Sequence, residues 1–237
     1  MLSFILPAHN EEFYLGRTLR QVFASARALG EPFEVIVVDD ASTDRTAEVA
    51  RSHGASVRRV SYRNIAAVRN AGARAAGGNI LVFLDADTLL PQATLRALLR
   101  ALRHGAAAGG ARVAFDGGIG LVPQVLLRVF SVFWNQTGWA AGCFLFARRD
   151  AFEAAGGFDE RYFATEEVHL SRALKNHGRF VILREPVVTS LRKFRLYPLR
   201  QLIAMSIRLL LGGRERFRHR RHLGILYDAP RETAAEG

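Results

Sequence analysis

Cysteine, lysine and long apolar runs are scarce in this sequence of 237 residues. Cys143 is the only cysteine, which excludes an intramolecular disulfide and fits a reducing compartment. Lys175 and Lys193 are the only lysines, so arginines carry almost all of the positive charge. Because an arginine side chain binds phosphate groups as a planar fork, the net charge of +11 favours anionic partners such as nucleotides, nucleic acid or anionic lipid.

The apolar segments are too short to predict a membrane span. A span needs roughly 18 uninterrupted apolar residues, whereas residues 119–134 contain Pro123 and Arg128, and residues 202–211 contain Arg208. The amino terminus has no basic leader before its apolar stretch, which is not typical of a signal peptide. We therefore expect a cytoplasmic protein, either free or peripheral on the inner face of the membrane.

Strands and helices alternate through the first half of the chain. Apolar segments typical of buried strands occur at residues 2–8, 33–40 and 80–87, and segments with helical periodicity lie between them. This alternation predicts an α/β fold with a mostly parallel central sheet flanked by helices on both faces. The second half is less regular, and residues 119–137 have the pattern of an amphipathic helix.

The end of the chain is strongly basic, and we predict a domain over residues 1–190 followed by a basic amphipathic helical extension over residues 191–237. Residues 192–221 contain nine arginines, one lysine and a single acidic residue. One interpretation is a helix that lies on an anionic membrane surface, and the other is a cationic helix packed on the domain with its arginines in water. No nucleic-acid-binding signature accompanies the charge, so we expect no nucleic acid partner.

Polar and acidic residues follow three of the predicted strands at the point where each ends. Residues 7–11 read Pro-Ala-His-Asn-Glu, residues 39–40 are two aspartates, and residues 85–87 read Asp-Ala-Asp. Ligands bind at the carboxyl ends of the strands in open sheets of this class. We therefore expect a binding site at this edge of the sheet.

The pair Asp85 and Asp87 is a candidate metal site. In an extended segment both carboxylates project to one side, about 6–7 Å apart. Mn²⁺ and Mg²⁺ prefer such oxygen ligands together with substrate phosphates. The alternatives are a solvated turn, or a helix capped by Asp87. The position after a buried strand favours the cation, because a charge at the end of an apolar run needs a partner.

Asp39, Asp40 and Arg69 each permit two interpretations. A carboxylate at position 39 or 40 could accept hydrogen bonds from a nucleobase or a ribose hydroxyl, or it could only close a turn. Arg69 could lie on an ordinary helix face, or it could supply a charge-assisted contact to a diphosphate.

Taken in order, these segments resemble family 2 glycosyltransferases. The resemblance covers residues 3 to about 180 and is carried by residues 7–11, 37–44, 67–72, 85–87, 156–160 and 166–170. It implies a GT-A fold, a nucleotide-sugar donor, Mn²⁺ or Mg²⁺ as the cofactor, and inversion at the anomeric centre. It implies that Asp87 ligates the metal and that Asp85 either ligates the metal or contacts the ribose. The implied nucleotide-sugar contacts are Pro7, Ala8, Asn10, Glu11, Asp39, Asp40, Arg69, Asp85 and Ala86.

At the position where the resemblance implies the catalytic base, this sequence differs from the family pattern. An inverting transfer needs a carboxylate to take the proton of the acceptor hydroxyl, and the family has a Glu-Asp pair where this chain has Glu166 and Glu167. Glu167 holds the position of the aspartate, but its longer side chain leaves the base open between Glu167 and Glu166. Alternatively, both acids only suit the first turn of a helix capped by Thr165.

We therefore expect a metal-dependent, inverting glycosyltransferase of the EC 2.4 class. The chain lacks the Gln-x-x-Arg-Trp motif and the membrane spans of processive family members, which favours single additions. The basic extension and the apolar residues 119–134 suggest a lipid-linked or glycan acceptor of the cell envelope. The alternative is a non-catalytic nucleotide-sugar-binding protein of the same fold.

Overall fold

A computed structural model gives the fold of the protein, and it describes residues 1–116 and 138–191. The predicted helix over residues 119–137 and the basic extension beyond Leu191 lie outside the described residues. Within the described ranges, no helix has both the length and the hydropathy that crossing a membrane would require.

The described residues form one sheet of eight strands and six α-helices. The strands are β1 (Leu2–Ala8), β2 (Phe33–Asp40), β3 (Ser56–Val60), β4 (Ile80–Leu84), β5 (Thr88–Leu89), β6 (Ala106–Asp116), β7 (Phe144–Arg148) and β8 (Arg179–Ser190). The helices are α1 (Glu12–Arg27), α2 (Thr46–Ser52), α3 (Ile65–Ala75), α4 (Gln92–Arg103), α5 (Arg149–Ala154) and α6 (Glu166–Leu174), and a 3₁₀ turn (Lys175–His177) follows α6.

The strand order across the sheet is β3-β2-β1-β4-β7-β6-β8-β5. Strands β3, β2, β1 and β4 run parallel, with Ala8 of β1 beside Asp39 of β2. Strand β7 runs antiparallel to both β4 and β6, whereas β6 and β8 are parallel and β5 is antiparallel to β8. The parallel half therefore brings the carboxyl ends of β1, β2 and β4 to one edge, as the sequence predicted.

Helices cover both faces of the sheet, which explains the continuous apolar runs of its central strands. All seven residues of β1 are buried. One core packs residues such as Leu19 of α1 and Leu98 of α4 on one face of the sheet. A second core packs residues such as Val68 of α3 and Leu170 of α6 on the other face. The predicted α/β class with a flanked central sheet is confirmed.

Helix α3 packs closely on β1 and β2, and Arg69 of this helix reaches Asp85, the residue after β4. A Cβ atom at Gly72 would collide with Cγ2 of Ile5 and would lie 3.0 Å from Cγ2 of Val38. The helix begins after Asn64, whose Oδ1 accepts a hydrogen bond of 2.9 Å from the backbone N–H of Ala67, a standard N-cap interaction.

The segment after β4 differs from one of the alternatives that the sequence allowed. Asp87 is followed by the short strand β5, and α4 begins only at Gln92, after Pro91. Asp87 therefore does not cap a helix, and that alternative is wrong.

Candidate active site

A cavity of about 440 Å³ opens at the carboxyl ends of β1, β2 and β4. Its volume lies within the range typical of ligand sites. It brings together most of the predicted site residues, namely Pro7, Ala8, Glu11, Asp40, Arg69, Asp85, Ala86, Asp87, Glu166 and Glu167. The structure does not bring Asn10 and Asp39 to the cavity wall.

Asn10 and Asp39 instead order the loops beside the cavity. Oδ1 of Asn10 accepts a hydrogen bond of 2.8 Å from the backbone N–H of Thr43. Oδ1 of Asp39 accepts one of 3.1 Å from the N–H of Ser42, and Oδ2 lies 3.6 Å from Nε of Arg59. Both side chains therefore have structural partners, and their contact with a nucleotide sugar stays a prediction.

Asp40 holds the connection between β3 and α3. Its Oδ1 accepts hydrogen bonds from the backbone N–H groups of Tyr62, at 2.7 Å, and Arg63, at 3.2 Å. Arg63 has a left-handed backbone with φ of 50°. This conformation is rare for a residue with a Cβ atom because it is sterically unfavourable. The two hydrogen bonds to Asp40 help to hold Arg63, which lines the cavity, in this conformation.

Arg69 is buried and joins three separate segments. Nη1 donates to Oε1 of Glu166 at 2.5 Å. Nη2 donates to Oδ1 of Asp85 at 2.9 Å and to the carbonyl oxygen of Gly142 at 2.6 Å. Its guanidinium carbon also lies 5.3 Å from the centre of the Phe158 ring. Charge-assisted hydrogen bonds of this kind are among the strongest in proteins.

Glu166 and Glu167 begin helix α6 but have different surroundings. Glu166 is buried and paired with Arg69. Glu167 is half-buried on the cavity wall, and its Oε1 would lie 3.4 Å from a Cβ atom placed on Gly142. Burial and the adjacent charge of Glu166 raise the pKa of Glu167 to about 8, although Arg69 acts in the opposite direction.

Thr165 stands at the N-cap position of α6, but the alternative of a cap by its side chain is wrong. Thr165 has a left-handed backbone with φ of 64°, and its side chain makes no capping hydrogen bond. Its carbonyl oxygen still accepts hydrogen bonds from the backbone N–H groups of Val168, at 3.0 Å, and His169, at 3.2 Å, so the residue occupies the N-cap position through its backbone alone. Glu166 in the first turn of the helix is bound by Arg69.

Asn70 anchors the glycine-rich segment that precedes α6. Its Nδ2 donates to the carbonyl oxygen of Phe158 and to Oε1 of Glu160, both at 2.9 Å, and its Oδ1 accepts from the N–H of Phe158 at 3.0 Å. Gly157 has φ of 70°, and a Cβ atom there would lie 3.0 Å from Oδ1 of Asn70. Neighbouring residues of α3 thus hold both the turn and the helix that carry Glu167.

The donor set at the end of β4 fits a hard divalent cation. Asp85 and Asp87 both line the cavity, and the side chain of Asp85 remains 34% exposed although Arg69 binds it. In residues 1–116 and 138–191, no group of three or more His, Cys, Asp and Glu side chains is arranged to hold an ion. Two carboxylates are nevertheless sufficient for Mg²⁺ or a similar ion, because substrate phosphates and water complete its coordination.

Cys143 lies on the cavity wall beside these carboxylates. Burial, together with the charges of Asp85 and Asp87, raises the pKa of its thiol well above the ordinary value. A raised pKa of this kind is typical of a structural rather than a reactive cysteine.

Sequence reasoning assigned no role to several residues that line the cavity. His9 lies in the first motif, and its Nδ1 lies 2.8 Å from the carbonyl oxygen of Asp40, so that Nδ1 is the protonated nitrogen. Nη1 of Arg63 lies 3.2 Å from Nε2 of the same ring. Thr189 and Ser190 enter from the end of β8. The position of His9 just after a buried strand could have indicated that it lines the site. Arg63, Thr189 and Ser190 lie outside the family motifs, so the sequence offered no such indication for them.

The family assignment rests on a match over residues 3–157 to the sequence model described as Glycosyl transferase family 2. This chain belongs to that family. The match contains the β1, β2 and β4 strand ends and the glycines before Phe158, in the order that the sequence resemblance indicated.

Two curated relatives match less than half of this family 2 chain. Validoxylamine A glucosyltransferase of Streptomyces hygroscopicus subsp. jinggangensis is 38% identical over 108 residues, which are 43% of this chain and 25% of that enzyme. Undecaprenyl-phosphate 4-deoxy-4-formamido-L-arabinose transferase of Pseudomonas paraeruginosa is 34% identical over 113 residues, 44% of this chain and 33% of that enzyme. The matched segment thus covers a third or less of either relative.

A solved structure with the same fold is glucosyl-3-phosphoglycerate synthase from Mycobacterium tuberculosis, in complex with Mn²⁺, UDP and phosphoglyceric acid. The TM-score is 0.60 at 22% identity, and the match covers 98% of this chain and 80% of that one. The predicted GT-A fold is confirmed.

Proposed function

We propose that this family 2 chain is a divalent-metal-dependent, inverting glycosyltransferase that adds single sugars from a nucleotide sugar to an acceptor hydroxyl. The observation that carries the proposal is that Asp85, Asp87 and Glu167 line one cavity. An in-line displacement needs both the cation site and the base, because charge develops on the leaving diphosphate while a proton leaves the attacking hydroxyl.

Asp85 and Asp87 would hold Mn²⁺ or Mg²⁺ together with the diphosphate of the donor. A bound cation supplies charge neutralisation at the leaving group. The chemistry of the donor set supports this assignment, and so does the solved neighbour of the same fold that contains Mn²⁺ and UDP. Pro7, Ala8, Glu11 and Asp40 also line the cavity, and we propose that they receive the nucleoside.

Glu167 is the proposed base, and the contacts of Glu166 support this choice. Glu166 is paired with the buried Arg69, and breaking a buried ion pair leaves an uncompensated charge at high cost. Glu167 is half-buried in the cavity wall, and its raised pKa of about 8 suits proton abstraction near neutral pH.

The presence of a base favours an acceptor hydroxyl over an acceptor phosphate. A phosphate oxygen is already ionised near pH 7 and needs no proton removed, and a further anion would be repelled by the carboxylates of the cavity. The hydroxyl groups of Thr189 and Ser190 also line this cavity. A lipid-linked glycan of the cell envelope is the proposed acceptor, and the basic extension after Leu191 would bring the enzyme to an anionic membrane surface.

A lipid phosphate is the second candidate acceptor, because one relative is by name an undecaprenyl-phosphate transferase. Both are tested by incubating the chain with UDP-, GDP-, dTDP- and CDP-sugars, Mn²⁺, and either an envelope glycolipid extract or a polyprenyl phosphate. We expect metal-dependent transfer to the glycolipid that is lost in Glu167→Gln.

Two results would contradict this proposal. Transfer to the polyprenyl phosphate that survives Glu167→Gln would identify a phosphate acceptor. Nucleotide binding with no release of nucleoside diphosphate by wild type or variant would support the alternative of a non-catalytic nucleotide-sugar-binding protein.

A further inference from the structure

The guanidinium of Arg69 is committed to three acceptors on three different elements. Nη1 binds Glu166 in the first turn of α6, while Nη2 binds Asp85 after β4 and the carbonyl oxygen of Gly142 before β7. The side chain is about 4% exposed, and Nε is buried without a partner among the described residues. The positive charge of Arg69 is therefore already balanced by two carboxylates before any substrate binds.

Gly142 provides a second route from Arg69 to Glu167. Its carbonyl oxygen accepts from Nη2 of Arg69 at 2.6 Å. Its Cα faces the carboxylate of Glu167, since a Cβ atom built there would lie 3.4 Å from Oε1 and 3.5 Å from Cδ. Arg69 thus constrains Glu167 from two sides, through the neighbouring Glu166 in the same helical turn and through the wall against which Glu167 packs.

We propose that Arg69 is a positioning residue that fixes the helix carrying Glu167 relative to Asp85, and that it acts on the transfer step rather than on donor binding. This inference rests on the proposed function. It replaces the contact to the donor diphosphate that the sequence suggested for this residue. Misplacing a reacting group by about 1 Å can cost roughly 100-fold in rate, so a side chain that sets the separation of two halves of a site affects catalysis without touching the substrate.

Arg149 offers a matched control for Arg69. Its Nε, Nη1 and Nη2 donate to the carbonyl oxygens of Gly78, Ala73 and Ala76, so it also makes three contacts through one guanidinium. It does not line the 440 Å³ cavity. Arg149→Lys therefore removes a comparable set of structural hydrogen bonds while leaving the candidate active site intact.

The test compares Arg69→Lys with Arg149→Lys in steady-state kinetics and in calorimetric titration with a nucleoside diphosphate and Mn²⁺. For Arg69→Lys we expect kcat to fall about 100-fold or more, with the donor KM and the nucleotide Kd changed by less than about threefold. Arg149→Lys should lower the melting temperature and leave kcat near that of wild type. Glu166→Gln, which keeps the shape of the ion pair and removes its charge, should lower kcat in the same selective way if Arg69→Lys does not fold.

Three results would overturn the inference. A rise in nucleotide Kd that accounts for the loss in kcat/KM would make Arg69 a donor ligand. An equal loss of kcat in Arg149→Lys would show that the loss in Arg69→Lys reflects a general loss of structure. An unchanged kcat in Arg69→Lys would show that Arg69 has no role in the transfer step.

A readout that does not need transfer separates this inference from the proposed function. The guanidinium of Arg172 on α6 lies 4.5 Å from the ring centre of Trp139, and Trp139 becomes the only tryptophan when Trp134 is replaced by phenylalanine. In that background Arg69→Lys should change the emission of Trp139 and Arg149→Lys should not. If wild type transfers no sugar, the proposed function fails, and unchanged emission in Arg69→Lys would independently reject the positioning role.

Discussion

Nη1 of Arg69 lies 2.5 Å from Oε1 of Glu166, and this ion pair gives the adjacent Glu166 and Glu167 different surroundings. Glu166 is buried in its ion pair with Arg69, whereas Glu167 is half-buried on the cavity wall. The sequence left the base open between these two residues. The contact with Arg69 is the physical reason to prefer Glu167.

The rate of transfer should increase with pH. A base acts only when ionised, and burial beside Glu166 raises the pKa of Glu167 to about 8. Protonation therefore removes the base as the pH falls below this value. We expect kcat, measured at saturating donor, acceptor and Mg²⁺, to rise from pH 6 and to level off above pH 8. A rate that is constant from pH 6 to pH 9 would contradict the assignment.

Glu167→Gln should stabilise the protein, and the gain should depend on pH. Because the folded-state pKa of Glu167 is raised above its ordinary value, the wild type loses stability as the pH rises from about 5 to about 8. Glutamine has no such charge to bury. The difference in melting temperature, variant minus wild type, should be smallest at pH 5 and largest at pH 8 and above. A difference that shrinks with rising pH would show that Glu167 is not destabilised by burial.

Asn70→Ala should destabilise the turn that precedes α6. The substitution removes hydrogen bonds to both backbone groups of Phe158, and a buried group left without a partner costs about 1–3 kcal/mol. We expect the free energy of unfolding in urea to fall by at least this amount, with a lower kcat. Asn176→Ala is the control, since Asn176 is exposed and its replacement should change neither quantity.

Two helical glycines should respond differently to alanine. At Gly72 of α3 a Cβ atom would collide with Ile5, so Gly72→Ala should cost about 1–3 kcal/mol. At Gly16 of α1 the nearest atom is Cε1 of His53 at 3.2 Å, which belongs to a side chain that can shift. Gly16→Ala should be neutral or stabilising by up to about 1 kcal/mol, because alanine is the better helix former. Equal losses in chemical denaturation would contradict the close packing of α3 on β1.

The parts of the fold with local signals could be predicted from the sequence. Strands β1, β2 and β4 are continuous apolar runs because helices cover both sides of the sheet, and the acids at their ends could be read directly. The antiparallel insertion of β7 between β4 and β6 could not be predicted, since strand pairing depends on contacts between residues far apart in the chain.

Some residues of the candidate site could be predicted from the sequence, but their contacts could not. Its carboxylates were identified because a charge after an apolar strand is conspicuous. The partners of Arg69 were not, because they lie 16, 73 and 97 positions away. The left-handed conformation of Thr165 had no signal in the sequence, since threonine before two acids is typical of a helix capped by its side chain.

Asp85 and Asp87 are proposed to hold a cation on the diphosphate of a sugar donor. Anomalous diffraction at the manganese absorption edge, from crystals soaked with Mn²⁺ and a nucleoside diphosphate, tests this proposal most directly. We expect an anomalous peak in the cavity, from an ion bound by the carboxylate of Asp87 and by the diphosphate. A nucleotide bound without a peak there, or a peak from which Asp87 is turned away, would contradict it.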